Sequence, residues 1–387
     1  MVESALPYGR QTIEDDDIAA VTQALRGDFL TTGPLVEAFE VAFAEKVGAR
    51  HAVACSNGTA ALHLAMLALD VQPGEVCIVP SITFLATANC ARYVGAEVVF
   101  ADVDPLTGLM TPDTLAQALT RVGDRKLRAV LPVHLRGDTV ELPALAALAQ
   151  GAGAVLVEDA PHALGSTMRF GNTAERVGDV RHSAMATFSF HPVKTIATGE
   201  GGMVTTNDGR LAGRLKTLRS HGMVRPAGAD PWIYEMPEPG FNYRLPDILC
   251  ALGLSQLAKL DRFAARRKAL AARYADALKP LAPVVRPAER PDWSDPVLHL
   301  MVALIDFKAA GKARRQVVDD LRARGVGTQV HYIPVHTQPY YRDRYGPLEL
   351  PGAEAWYEIC LSLPLYPGMA DEDVDRVVDA LKDALRL

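Results

Sequence analysis

Between residues 52 and 207 the chain repeats one arrangement: a short uninterrupted apolar run, an amphipathic stretch, then another run. The runs occupy 52–56, 77–81, 98–103, 129–135, 154–160, 185–190 and 202–207. Strands that are apolar without alternation are covered on both faces, as happens when helices pack on both sides of a sheet. The stretches between them, among them 59–69, 84–94, 112–122 and 142–150, supply such helices. The repeat predicts an α/β fold built on a seven-stranded, mostly parallel sheet with right-handed crossovers. The runs at 185–190 and 202–207 lie too close for a helical crossover, so one antiparallel strand is expected there.

The repeat then stops. Residues 210–220 read as a helix, and 222–243 are rich in Pro, Gly and aromatics. One long helix is expected from Pro246 to Leu278, with Pro280 ending it. Short strands at 299–305 and 327–331 and helices at 312–324, 352–360 and 371–385 read as a smaller α+β domain. We place the larger domain at 1–250 and the smaller at 251–387.

Charge and cysteine content exclude several classes of function. Across 387 residues, 40 basic and 46 acidic side chains leave a net charge of −6, which gives no footprint for nucleic acid or an anionic membrane. The one basic cluster, 262–273, sits in a helical pattern and reads as a solvated face. The 5 cysteines contain no Cys-x-x-Cys pair, so neither a disulfide framework nor a zinc site is expected, and no metal. No run approaches the ~18 apolar residues of a membrane span, and residues 1–17 lack the features of a signal peptide. A cytoplasmic protein is expected.

Open α/β sheets bind ligands at the carboxyl ends of their strands. After the first run comes Ser56-Asn57-Gly58-Thr59-Ala60, a small-residue turn opening a helix. It suits an anion held by free N–H groups, and equally a simple N-cap. Phe84 follows the second run and is either a core aromatic or a ring that stacks on a planar ligand. The fifth run ends in Glu158-Asp159-Ala160-Pro161-His162, an acidic pair that needs partners. A cationic ring nitrogen would be one; capping a helix would account for Asp159 alone. The sixth run leads through Ser189-Phe190-His191-Pro192-Val193-Lys194 into Thr198-Gly199-Glu200-Gly201-Gly202. A lysine in such a bend is either a surface residue or, if desolvated, a nucleophile for carbonyls. Gly240-Phe241-Asn242-Tyr243-Arg244 is a polar-aromatic loop that serves structure or reaches a neighbouring subunit.

An anion cradle, a stacking ring, a carboxylate and a carbonyl-seeking lysine together describe a pyridoxal 5′-phosphate site. On these motifs the chain resembles the DegT/DnrJ/EryC1/StrS aminotransferases, fold-type I enzymes that transaminate nucleotide-linked keto sugars. The similarity runs from Pro7-Tyr8-Gly9 through Phe29–Pro34 (29–34) to the C-terminal helices. The resemblance implies that Lys194 carries the cofactor and that Asp159 pairs with the pyridine nitrogen. It implies that His162 contacts the ring hydroxyl, where many relatives have Gln, and that Phe84 stacks on the ring. Gly58, Thr59, Ala60 and Ser189 would hold the phosphate, and Asn242 would reach the phosphate in the partner subunit of a homodimer. Pyridoxamine 5′-phosphate would be the aminated form of the cofactor, and L-glutamate the amino donor.

The stretches 28–34, 239–245 and 325–341 look most like enzymes that aminate C4 of a UDP-linked 4-keto-6-deoxy sugar in pseudaminic acid biosynthesis. Relatives acting on bacillosamine, perosamine and 4-amino-arabinose precursors share much of the pattern. By this resemblance Thr31, Thr32, Gly33 and His331 would line the sugar-nucleotide pocket, as part of a substrate-lining segment at 1–35. His331 and His336 can also be strand-end histidines without a ligand. His331, Arg225 and Arg244 are expected to offset the net negative charge at the pocket. Leu135-Arg136-Gly137-Asp138 departs from the small-residue Gly-Gln/His-Pro turn of relatives, and 226–231 looks like an insertion. The family's sugar dehydratases carry histidine in place of the lysine, so Lys194 argues against that activity. No appended segment suggests a DNA-binding regulator, and joint retention of Asp159, Ser189 and Lys194 argues against a non-catalytic oligomer.

Overall fold

The structure, a computed structural model, describes residues 5–387. Its strands are β1 (His51–Cys55), β2 (Val76–Pro80), β3 (Glu97–Ala101), β4 (Leu127–Val130), β5 (Val155–Asp159), β6 (Thr167–Phe170), β7 (Thr173–Arg176), β8 (Met185–Ser189), β9 (Gly202–Thr206), β10 (Val285–Pro287), β11 (Ser294–Asp295), β12 (Met301–Ile305) and β13 (Cys360–Leu363). Seven of them form one sheet in the order β1-β9-β8-β5-β4-β2-β3. The pairs β8–β5, β5–β4, β4–β2 and β2–β3 are parallel, whereas β9 runs antiparallel to both β1 and β8. The expected fold and its single antiparallel strand are both present. The helices in this half are α1 (Asp15–Leu25), α2 (Pro34–Val47), α3 (Gly58–Ala68), α4 (Leu85–Tyr93), α5 (Pro112–Thr120), α6 (Leu142–Gly151) and α7 (Gly209–Leu218). All but α1 pack on the sheet, and the rings of Phe39, Phe43, Phe188 and Phe190 interlock where α2 meets β8.

The remaining helices are α8 (Asp247–Ala258), α9 (Leu260–Leu278), α10 (Arg314–Ala323), α11 (Pro339–Tyr345), α12 (Pro351–Ile359) and α13 (Asp371–Leu385). A three-stranded antiparallel sheet, β10-β12-β13, packs with α9, α10 and α13 around a second core that includes Leu270, Tyr274, Leu321, Val377 and Leu381. Arg267 of α9 is fully buried. Its Nη1 donates to the carbonyls of Leu298, His299 and Leu365 at 3.0–3.3 Å, with no carboxylate partner among the described residues. All 5 cysteine thiols are free and buried.

Four expectations are corrected. The single helix after Pro246 is two, parted at Lys259, whose ammonium is drawn to Asp16 (2.5 Å) and Asp17 (2.7 Å) at the start of α1. The fourth run is a regular strand only to Val130; beyond it Pro132 has no N–H to give, and what continues is its carbonyl accepting from the Asp159 N–H (2.9 Å) and an isolated bridge from Val133 to Asp159. A further three-stranded sheet, β11-β6-β7, had no place in the sequence reading; its hairpin turns at Gly171-Asn172, a two-residue turn pair. Residues 327–331 contribute only an isolated bridge, Gln329 to Ser362, rather than a strand.

Candidate active site

The carboxyl edge of the parallel strands opens onto a cavity of about 1000 Å³ lined by Gly58, Thr59, Ala60, Phe84, Asp159, His162, Ser189, Lys194 and His331. Nine sequence-selected residues thus share one site. Each arrives for a local reason. At the end of β1, Asn57 is extended and its Oδ1 accepts from the Ala60 N–H at 2.8 Å, which starts α3. The N–H groups of Gly58 and Thr59 have no partner among the described residues and remain for an anion at the positive end of the helix. Gly58 is required there, since a Cβ would lie 2.8 Å from the Ser189 Cβ across the cradle. Ser189 closes that cradle from the end of β8.

The acidic pair at the end of β5 divides. Glu158 is satisfied inside the protein: His134 Nε2 lies 3.0 Å from Oε2, and the Ser183 hydroxyl donates to Oε1. Asp159 is not. Its Oδ2 accepts from the Thr87 hydroxyl at 2.5 Å, but Oδ1 is buried without a partner. Burial pushes the Asp159 carboxyl up, against the lowering effect of Thr87 and Lys194. A buried carboxylate oxygen left without a partner is what a ring N–H⁺ would complete. Phe84 is 58% exposed, so it is not a core aromatic; its ring lies open over the cavity with the Tyr332 centroid at 6.2 Å.

Lys194 follows the bend after β8. Its amine has no hydrogen-bond or ion-pair partner among the described residues, and burial pulls it down to about 8, with Asp159 acting in the opposite sense. A fraction of the amine is therefore neutral, and nucleophilic, at physiological pH. His162 lies between the Arg136 N–H, 3.4 Å from Nδ1, and the Tyr332 hydroxyl, 3.2 Å from Nε2. Burial holds His162 well below the usual imidazole range.

Other selected residues lie elsewhere on the chain. Thr32 and Gly33 line a separate cavity of about 270 Å³ with Lys216, Arg219 and Arg244. Asp247 fastens this loop, accepting from the N–H groups of Gly33 (2.7 Å) and Leu35 (3.0 Å). Thr31 is exposed beside it, and Asn242 is exposed in a bridge to Ser220. His336 is buried behind the site, its Nδ1 2.6 Å from the Ser81 hydroxyl.

The expectation of basic groups at the pocket is corrected for a single chain. His331 is pulled down to about 3 by burial and then by Lys194, so it is neutral, with Nδ1 2.8 Å from the Ser362 hydroxyl. Arg225 is exposed and donates to the Pro231 carbonyl, and Arg244 faces the smaller cavity. Lys194 is the only lysine or arginine lining the large cavity among the described residues.

Sequence reasoning missed Tyr8, Thr87, His299 and Tyr332, which also line the cavity. Thr87 had a signal, four residues after Thr83 at helical spacing, and the two hydroxyls lie 2.6 Å apart. The other three arrive through tertiary packing.

A lysine of lowered basicity, a carboxylate with one open oxygen, an anion cradle and an uncovered ring at the edge of this sheet define a pyridoxal-phosphate-dependent transferase of fold type I. The sequence profile of the DegT/DnrJ/EryC1/StrS aminotransferase family matches residues 11–382, and the chain belongs to that family. It is a pyridoxal-phosphate-dependent sugar aminotransferase. It is 39% identical to the spore coat polysaccharide biosynthesis protein SpsC of Bacillus subtilis, over 98% of this chain and 97% of that one. Among solved structures it is similar to Helicobacter pylori PseC, an aminotransferase involved in the biosynthesis of pseudaminic acid, with 29% identity, a TM-score of 0.90, and 99% and 100% of the two chains covered. The aminotransferase TlmJ of Streptoalloteichus hindustanus matches at 32% identity and a TM-score of 0.89 over 98% and 99% of the chains. No helix among the described residues is long and apolar enough to cross a membrane.

Proposed function

We propose that the enzyme moves an amino group from L-glutamate to C4 of a nucleotide-linked 4-keto-6-deoxy sugar in the cytoplasm. The specific acceptor we propose is UDP-2-acetamido-2,6-dideoxy-β-L-arabino-hex-4-ulose, the substrate of the pseudaminic acid route. The observation that carries this reading is the full-length likeness to PseC. The identity to SpsC favours a second reading, a different nucleotide-linked 4-keto sugar.

When bound, pyridoxal phosphate supplies an electron sink that makes the α-hydrogen of an amino acid acidic. In our reading Lys194 Nζ would be the residue that holds the cofactor at its carbonyl carbon, and its free amine would carry the proton at the reacting carbon. Asp159 Oδ1 would hold the proton on the ring nitrogen, Phe84 would cover a ring face, and His162 would face the ring hydroxyl. Gly58, Thr59, Ala60 and Ser189 bind the phosphate, and His331 contacts the sugar nucleotide as a neutral group. Residues 1–250 form the cofactor-binding unit and 251–387 the smaller one.

The site works as a homodimer in this reading. Two anionic substrates meet one cation in the large cavity, while Thr32, Gly33 and Arg244 gather at a different place on the same chain. A second copy brings that patch, with Thr31 and Asn242, over the cavity of the first. Amino transfer from glutamate to a panel of UDP- and dTDP-linked 4-keto sugars tests the reading. Turnover of the proposed UDP sugar above all others is expected, and preference for another sugar moves the assignment to the second reading.

A further inference from the structure

The turn at Leu135-Arg136-Gly137-Asp138 reaches the site from behind. Arg136 adopts a left-handed backbone (φ 63°), unusual for a residue with a long side chain. Its guanidinium is buried and held in place: Nη2 lies 2.8 Å from Asp138 Oδ2 and donates to the Glu289 carbonyl at 2.6 Å. Asp138 is in turn held by Arg290 and by the Ser294 hydroxyl, both at 3.3 Å. With the side chain pinned, the main chain of Arg136 serves two of the histidines that line the cavity, the backbone of His299 and the ring of His162. Its carbonyl accepts from the His299 N–H at 2.7 Å, and its N–H points at His162 Nδ1 at 3.4 Å. The two imidazoles lie with centroids 4.5 Å apart and their planes tilted by 33°.

A backbone N–H can only donate, so the nitrogen it meets must accept. A neutral imidazole has one acceptor nitrogen and one N–H. We infer that Arg136, through its ion pair with Asp138, is a positioning residue that fixes the proton of His162 on Nε2, so that this ring offers the cavity a donor and not an acceptor. The Nε2–H points to the Tyr332 oxygen at 3.2 Å, which leaves the Tyr332 hydroxyl proton free to donate onward. The pair is thus polarised to receive an oxygen anion. That its ligand is the ring oxygen of pyridoxal phosphate rests on the function proposed above.

The experiment is ¹⁵N NMR of the full chain labelled at histidine, before and after adding pyridoxal phosphate. His162 is identified by its absence from the spectrum of His162→Gln. The native spectrum is expected to show the Nε2–H tautomer as the dominant form. Arg136→Gly keeps the N–H, and glycine accepts a left-handed backbone, so the fold is expected to persist. Loss of the pin should raise the Nδ1–H to Nε2–H ratio about fivefold, the equivalent of one hydrogen bond of ~1 kcal/mol. Asp138→Asn should change the ratio in the same direction. A dominant Nδ1–H form in the native protein overturns the inference, as does an unchanged ratio in folded Arg136→Gly. If the native protein shows the expected tautomer but pyridoxal phosphate does not bind, the reading of the cavity fails while the tautomer assignment stands.

Discussion

Thr87→Val tests the balance that sets the ionisation of Asp159. Valine matches threonine in shape and puts a methyl in place of the hydroxyl, which donates to Asp159 Oδ2 at 2.5 Å. A hydrogen bond to a charged acceptor is worth about 1.5–3 kcal/mol. One pKa unit corresponds to ~1.4 kcal/mol, so losing the bond should raise the Asp159 carboxyl by about one to two units. The sign follows from which form is bonded: the hydroxyl stabilises the carboxylate, and its removal adds to an upward push that burial already exerts. At a given pH less of Asp159 is ionised, and the pairing with a ring N–H⁺ weakens. The assay is retention of pyridoxal phosphate after desalting across a pH series, read by absorbance. The acid limb of retention should move up by about one to two pH units in Thr87→Val. Thr83→Val removes only the next hydroxyl in the chain and should move it less. A limb that stays in place, or moves down, would refute the role given to Thr87.

Other outcomes follow from the same geometry. Capture of pyridoxal phosphate by cofactor-free enzyme, locked by borohydride and mapped to Lys194 by mass spectrometry, should rise with pH and level off above about 8. A rise that continues past pH 10, as for an ordinary lysine, contradicts the desolvated amine. Lys194→Ala and Asn242→Ala chains, each inactive alone, should regain activity when refolded together, since a hybrid dimer holds one site with both native residues. No recovery in a mixture shown to contain hybrids argues against a shared site.

The large sheet was legible because each strand carries its own instruction: 77–80 and 155–157 are uninterrupted apolar runs regardless of what lies elsewhere. Lys194, Asp159 and the Gly58 turn were legible because they follow those strands directly. What escaped depends on distant partners. Lys259 breaks a helix only because Asp16 and Asp17 wait more than two hundred residues earlier. Glu158 and Asp159 look alike in sequence, and only the placement of His134 and Ser183 shows that one is satisfied and the other open. Likewise His331 reads as a basic group until its burial is known.

The five buried thiols make the enzyme its own clock. Burial pushes Cys55, Cys77, Cys250 and Cys360 up to about 12, so a water-borne alkylating reagent meets almost no thiolate in the closed molecule. Labelling must wait for an opening, and its rate counts openings. Cys77 sits in β2 of the large sheet and Cys360 in β13 of the small one, so the order in which their peptides acquire label would time the breathing of each half without any introduced probe.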